Sequence, residues 1–327
     1  MTLPPGPVVL DAATVRGLVP LSAVIEPTRR ALIAHARGQV SQPAPWHLDV
    51  AGGAVPGEVH VKGAWRRGAA TYAVKLATGF PGNADLGAST SSGLSIVGDA
   101  ETGVPRLICL DGGWLTDART AAAGALATDA LALPGAVHLA IVGAGVQARL
   151  QVEALGLLRH IASIHVCVRD ASRAASWVSE LTAGAAASGL GAVTVGSVAD
   201  GIPDGVTAVV TTTPAHAPVV SRVPPGCQVT AIGSDGPGKR ELGVELVLGA
   251  DLFAADDLDQ SRRLGELQGC PRPAVTLGDI LDGAHPGRST LPSGAVTICD
   301  LTGIGAQDAA MGELVMERYG RARRTDD

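Results

Sequence analysis

The sequence predicts an α/β protein of two parts: a domain built on a parallel sheet, and an α+β domain richer in antiparallel strands. Three observations carry this. Between Val59 and Leu110, strand-like runs follow one another. From Val137 onward, short apolar runs alternate with helix-period segments, the pattern of a parallel sheet with crossover helices. At the junction stands VHLAIVGAGVQA, Val137 to Ala148, which joins a buried strand, a glycine turn and a helix.

Composition narrows the classes. A chain of 327 residues suits one large or two moderate domains. Hydrophobic residues make up 46% but aromatic ones only 2%, so the core must be Ala, Val and Leu. A formal charge of -6 argues against a nucleic-acid partner. No apolar run reaches the ~18 residues of a membrane span. The start, MTLPPGPVVLDAATV, lacks the basic residues and apolar run of a signal peptide. The five cysteines include no C-x-x-C and read as small buried hydrophobes of a reducing compartment. A cytoplasmic protein is expected.

In chain order, Leu10 to Val24 holds short apolar patches. Pro27 suits the first turn of a helix running to His35, with Leu32, Ile33 and Ala36 buried. Gln42 to His47, QPAPWH, is proline-rich and extended. Val59–Val61 and Thr71–Ala77 alternate as strands. Lys75 lies inside the second, where a lone lysine ordinarily marks an edge strand. Gly79 to Ser95 reads largely as loop, and Leu94–Val97 and Val104–Leu110 form an antiparallel hairpin around DAETG. Thr116 is placed to cap a helix that runs to Leu133 and stops at Pro134-Gly135. Arg119 and Thr120 then fall in its first turn. A cation there opposes the helix dipole, at roughly 0.3–1 kcal/mol when exposed. The position calls for a bound anion or a neighbouring carboxylate.

The strand Val137–Val142 meets Gly143-Ala-Gly145-Val-Gln-Ala148, a GxGxxA turn. The helix beyond it carries Val146, Leu150, Ala154 and Leu157 on one face. Gly143 permits the tight turn, and Gly145 lets backbone N–H groups reach a pyrophosphate at the helix N-terminus. Ala148 lets helix and strand pack closely. Chance G-x-G is common in a chain with 43 glycines, but the strand-turn-helix context marks a Rossmann-type dinucleotide fingerprint. Ser163–Val168 reads as the next strand, closed by Arg169 and Asp170, with Arg173 in the helix that follows. A carboxylate closing this strand suits the ribose of NAD, and an arginine the 2′-phosphate of NADP. Arg169 therefore favours NADP(H), with NAD(H) the alternative; the bland reading is a charged surface loop.

Val193–Val198, Val206–Val210, Val229–Ile232 and Leu252–Ala255 are further short strands. Thr212 and Thr213 follow one of them, and Ile232-Gly233-Ser234-Asp235, with Lys239 beyond, follows another. Ligands bind at that edge of an open parallel sheet. Asp235 is either a turn former or a functional group. Thr276 caps a short helix to Leu281, Val296–Leu301 is the last strand, and a helix from Gly305 ends near Tyr319, with a charged tail expected to fray. The histidines are scattered, with no metal-ligand spacing, so no metal is expected.

Five segments together resemble the ornithine cyclodeaminase/mu-crystallin family: VKLATGFPGN, DAETGVPRLICLDGGWLTDARTAAAGA, AIVGAGVQA, AIGSDGPGKRE and LTGIGAQD. They run in order from about residue 55 to 310, and LTDARTAAA and GSDGPGK are far more specific than the glycine turn. The resemblance implies a discontinuous protein: residues 1–125 and 300–327 for substrate binding and dimerisation, 126–299 for the Rossmann domain, assembled as a homodimer. It implies that Lys75 contacts substrate and shuttles a proton, and that Arg119 holds a substrate carboxylate beside the cofactor. Asp235 matches an acid/base aspartate. Thr90, Thr120, Val146, Gln147, Ile232, Gly233, Ser234, Lys239, Leu301 and Thr302 match cofactor contacts.

There are departures. Where cyclodeaminases carry a second carboxylate-binding arginine, this chain has Pro43-Ala-Pro-Trp46, which leaves Trp46, His47 or Lys62 to line the pocket. Arg169 replaces the aspartate of the NAD-retaining cyclodeaminase. The activity implied is NAD(P)H-dependent reduction of a C=N bond in an imine or ketimine resembling an amino acid. The alternatives are a cyclodeaminase with retained NAD, an alanine-type dehydrogenase, and a mu-crystallin-like binding protein. Retention of Lys75, Arg119 and Asp235 argues against the last, since binding alone needs no proton donor.

Overall fold

The computed structural model describes residues 6–53, 55–188 and 191–326. The first part of the chain forms β1 (Val8–Asp11), α1 (Ala12–Leu18), α2 (Ile25–Ala36), β2 (Val40–Ser41), β3 (Trp46–Val50), β4 (Gly57–Arg66), β5 (Thr71–Gly79), β6 (Ser91–Asp99), β7 (Pro105–Leu110) and α3 (Trp114–Leu131). Then come β8 (Val137–Val142), α4 (Val146–Gly156), β9 (Ile161–Val168), α5 (Ala175–Ser188), β10 (Val193–Ser197), β11 (Ala208–Thr211) and β12 (Gln228–Ala231). The last are α6 (Val244–Gly249), β13 (Leu252–Ala255), α7 (Leu258–Leu264), β14 (Val275–Thr276), α8 (Leu277–Leu281), β15 (Thr297–Asp300) and α9 (Gly305–Asp326). Among the described residues no helix is long and apolar enough to cross a membrane.

The chain divides into two compact units, Met1–Arg119 with Ile304–Asp327, and Thr120–Gly303. The first boundary falls inside α3, earlier than the expected residue 125, because Arg119 is tied to α9 while the small residues after it pack with the second unit. The second falls after residue 300, because Leu301 still bonds to β12, its N–H donating to the Ala231 carbonyl at 2.9 Å.

The first unit holds a sheet in the order β1-β7-β6-β5-β4-β2, with β3 paired to β4. Alternation sends successive side chains to opposite faces. Ala64, Ala73 and Val97 share one face and are buried. The helix α9 lies against it at small residues: a Cβ on Gly312 would sit 3.1 Å from both Ala73 and Val97. The other face carries Val9, Trp46, Leu48, Trp65, Leu76 and Leu110, all substantially exposed. Asp99 closes the β6–β7 hairpin, its carboxylate accepting from the N–H groups of Glu101 and Thr102, with Gly103 at φ 73°.

Three local expectations change. Lys75 is no edge-strand charge, since β5 pairs with both β4 and β6. The helix α3 begins at Trp114, not after Thr116; the Asp111 carboxylate accepts from the Leu115 N–H at 2.7 Å and does the capping. Arg119 and Thr120 thus lie beyond the first turn. The tail expected to fray continues α9 through Asp326.

The second unit is an eight-stranded sheet, β10-β9-β8-β11-β12-β15-β13-β14, parallel throughout. Chain order reverses between β8 and β11, and a crevice outside the strand ends at such a switch is where these sheets bind ligands. The four residues of each of β11, β12 and β15 are all buried, as sheets covered on both faces require. The core is aliphatic, with Phe253 its one fully buried aromatic side chain among the largest. Helix α4 buries Ala148, Leu150, Gln151, Ala154 and Leu155, whereas Val146 and Leu157 are exposed. Its buried face is therefore rotated from the one expected, because Gln151 turns inward to donate to the Thr120 carbonyl.

Candidate active site

Two groups of candidate functional residues stand out, and each unit is described by itself. In the first unit, β4 and β5 place Lys62 and Lys75 opposite each other on the face that α9 partly covers. Lys75 is only 2% exposed, and its Nζ lies 3.1 Å from Asp308 Oδ1 on α9. Arg119 Nε reaches the same oxygen at 3.1 Å, and its Nη1 donates to Gln307 Oε1 at 3.3 Å. Lys62 and Asp308 are also buried. Asp308 Oδ2 and Gln307 Nε2, both buried, have no hydrogen-bond partner. Such atoms are costly unless something meets them, so the cluster offers an acceptor and a donor to an incoming molecule.

Three cations thus surround one carboxylate. Burial, then the Arg119 charge, brings the Lys75 ammonium down to about 7 in spite of Asp308. Burial alone would raise Asp308, but the charges of Lys75, Arg119 and Lys62 outweigh it and hold the carboxyl below its ordinary value. An ammonium that titrates near neutrality beside a fixed carboxylate is able to give or take a proton at working pH.

The second unit carries the candidate cofactor cradle. Gly143 has φ 114°, and a Cβ there would press on Thr212 Oγ1. Gly145 is the N-cap of α4 without a side-chain cap, and a Cβ on it would enter open space. Uncapped N–H groups facing open space at a helix N-terminus fit a pyrophosphate. Val146 and Gln147 form the first turn there. Arg169 closes β9 and is exposed, while Asp170 is used to cap the next turn through Ser172. The Arg173 side chain lies outside the described residues.

Beyond β11 and β12, two buried carboxylates organise the loops. Glu241 accepts from Thr211 Oγ1, from both the N–H and the hydroxyl of Thr213, and from the Gly233 N–H. Even so, burial pushes its carboxyl up to about 7. Glu266 accepts from the Ser234 hydroxyl and from the N–H groups of Glu241 and Leu242. Ile232 and Leu301 are buried, each bonded through its N–H to a neighbouring strand, and Thr302 donates through N–H and hydroxyl to Asp256. Asp235 pairs with Lys239 at 2.9 Å. Gly233 admits no side chain: a Cβ would run into the Thr213 carbonyl oxygen.

The structure gathers Lys62, Lys75 and Arg119 in one cluster, and the glycine turn with Thr212 and Thr213 at one sheet edge. Arg119 meets a neighbouring carboxylate, one of the two options its position left open. Thr90 stands in the first unit just before β6, its carbonyl accepting from the Phe80 N–H; Thr120 opens the second unit. Trp46 does not join Lys75. It pairs in register with Val61, so it belongs to the opposite, exposed face, while its neighbour His47 pairs with His60 on the face of Lys62. Sequence reasoning gave no role to Asp308 or Glu241, although both lie inside the motifs LTGIGAQD and AIGSDGPGKRE. Their signal was a carboxylate within an otherwise apolar or glycine-rich stretch. It also missed the grouping of His47, Glu58 and His60, which β3 and β4 bring together across the sheet.

Comparison with known proteins identifies the family and the fold. The profile of the ornithine cyclodeaminase/mu-crystallin family matches residues 6–322. A relative from Rhizobium meliloti (strain 1021), named as a dehydrogenase, is 37% identical over 329 residues and covers 96% of each chain. An archaeal alanine dehydrogenase dimer with bound NAD is 28% identical, with a TM-score of 0.85 over 97% of both chains. The iminosuccinate reductase of Paracoccus denitrificans, in complex with NAD+, is 26% identical, with a TM-score of 0.82 over 97% of this chain and 98% of that one.

Proposed function

The chain belongs to the ornithine cyclodeaminase/mu-crystallin family and is an NAD(P)-dependent oxidoreductase of C–N bonds; from that premise we propose that it reduces the C=N bond of an imine or ketimine resembling an amino acid. The observation that carries the proposal is the Lys75–Asp308–Arg119 cluster, with its ammonium near neutrality and its unmatched donor and acceptor. When bound, the nicotinamide supplies the hydride. Gly143, Gly145, Val146 and Gln147 would hold its pyrophosphate, and Thr212, Thr213 and Ile232 to Ser234 the loops around its ring. Glu241 would keep those loops in place by gathering donors from both strand ends.

Arg119 would bind the substrate carboxylate and fix the imine carbon. Lys75 would give the proton that accompanies hydride addition, with Asp308 holding the ammonium in position. Lys62 would add a second cation to the substrate side. Asp235, paired with Lys239, would be a second proton carrier. We read Arg169 as the seat of a 2′-phosphate, hence NADP(H) in preference to NAD(H). We place the protein in the cytoplasm as a homodimer joined through the exposed apolar face of the first unit's sheet, a patch of the kind that marks association.

Incubating the purified protein with NADPH or NADH and a cyclic imino acid such as pyrroline-2-carboxylate tests this. Oxidation at 340 nm with exchangeable cofactor is expected. Release of ammonia from ornithine by protein that retains NAD through dialysis would replace the reductase by a cyclodeaminase.

A further inference from the structure

His47 and His60 face each other across β3 and β4, with Nδ1 to Nδ1 at 3.4 Å and ring centroids 4.6 Å apart. His47 Nε2 is held by Asp49 Oδ1 at 2.8 Å. A neutral His47 that donates this proton to the carboxylate presents an unprotonated Nδ1 to its partner. His60 is 9% exposed; its Nε2 is buried without a hydrogen bond, 3.5 Å from Glu58 Oε1. His47, Glu58 and His60 each offer a ligand atom within 4.8 Å of the other two. Two imidazoles about 3.4 Å apart have the spacing of neighbouring corners around a tetrahedral cation with bonds of ~2.0–2.1 Å.

We propose that His47, His60 and Glu58 form a seat for a first-row divalent cation, Zn2+ being the best fit to two imidazoles and a carboxylate. Asp49 completes the pattern, because a ligating histidine ordinarily donates its other N–H to a carboxylate that fixes its orientation. Three protein ligands leave one tetrahedral position open, as in sites that bind an exchangeable ligand rather than closed structural ones. β3 pairs only with β4 among the described strands, so the seat stands at the margin of the sheet. The cysteines do not compete: all five are buried, and burial raises the thiols of Cys109, Cys167 and Cys227 to about 12, 11 and 12. The proposal does not depend on the hydride-transfer reading.

The test uses untagged full-length protein, stripped with chelator and then titrated with Zn2+ against a chromophoric competitor, and with Co2+ followed by visible absorption. One equivalent of tightly bound Zn2+ and the strong bands of tetrahedral Co2+ are expected. His60→Gln and His47→Gln should each weaken Zn2+ at least tenfold and abolish the bands, and Glu58→Gln should weaken it less. Lys75→Met, in the same unit, should leave binding unchanged. Circular dichroism and melting show that each variant is folded. Absence of stoichiometric Zn2+ in the wild type, or equal affinity in a folded His60→Gln, overturns the proposal.

Discussion

Asp308 in the first unit and Glu241 in the second are both buried carboxylates in motifs of the same family, yet they shift in opposite directions. Glu241 accepts four hydrogen bonds from neutral donors and still rises to about 7. Asp308 lacks a hydrogen bond on one oxygen and is nevertheless lowered, because lysines and an arginine surround it. Full charges, not the number of donors, decide which buried carboxylate stays ionised. The first unit thus keeps a charged cluster, while the second uses its carboxylate as a tie between loops.

Substitutions that disable one unit and spare the other sharpen this division. Gly145→Val should abolish cofactor binding in a folded protein, because a branched side chain would enter the space left for the pyrophosphate; titration of NAD(P)H fluorescence reads it. Unchanged affinity would remove the cofactor from this turn. Lys75→Met should do the reverse. Cofactor affinity stays, and single-turnover hydride transfer falls by about 10²–10⁴-fold, the usual loss when an acid catalyst is deleted. A raised KM with normal kcat would reduce Lys75 to a substrate contact.

Glu241→Gln turns an acceptor into a donor against the N–H of Gly233 or Thr213, and should cost about 1–3 kcal/mol in denaturant unfolding. It also tests the sign of the shift. A carboxyl raised from 4.5 to about 7 in the folded state contributes stability below pH 4.5. That stability is lost as pH rises through 7, by ~3 kcal/mol for an isolated group. The variant should flatten this slope, and a wild-type curve that rises over the same window would contradict the assignment. Arg169→Asp has the smallest expected effect: roughly tenfold in the ratio of kcat/KM for NADPH and NADH, towards NADH. For the wild type, reduction should decline above pH about 7 as Lys75 loses its proton; a flat profile to pH 9 would exclude Lys75 as the donor.

What could be read in the chain was local. The glycine turn, the β6–β7 hairpin and the Thr276 cap follow from neighbours in sequence, and each is present. Apart from the cap of α3, where Asp111 lies only four residues before Leu115, misreadings arise where distant residues decide. Asp111 displaced Thr116 as a cap because its carboxylate reaches the Leu115 N–H. The missing arginine points to Trp46 for the pocket, but strand register sends it to the other face. Spacing alone gives Lys75 no more than an edge-charge reading, because Asp308, 233 positions away in the chain and its counter-ion at 3.1 Å, cannot be paired with it by spacing. The His47–His60 pair needs the β3–β4 register, which no periodicity of so short a strand specifies.

The apolar sheet face of Val9, Trp46, Leu48, Trp65, Leu76 and Leu110 has a consequence for handling the protein. If a second copy covers it, folding and association are linked by mass action, and the melting temperature is a property of concentration as well as of sequence. Dilution would then lower thermal resistance without any change in the chain. Activity assays at nanomolar enzyme would sample a different molecular population from that in a concentrated stock.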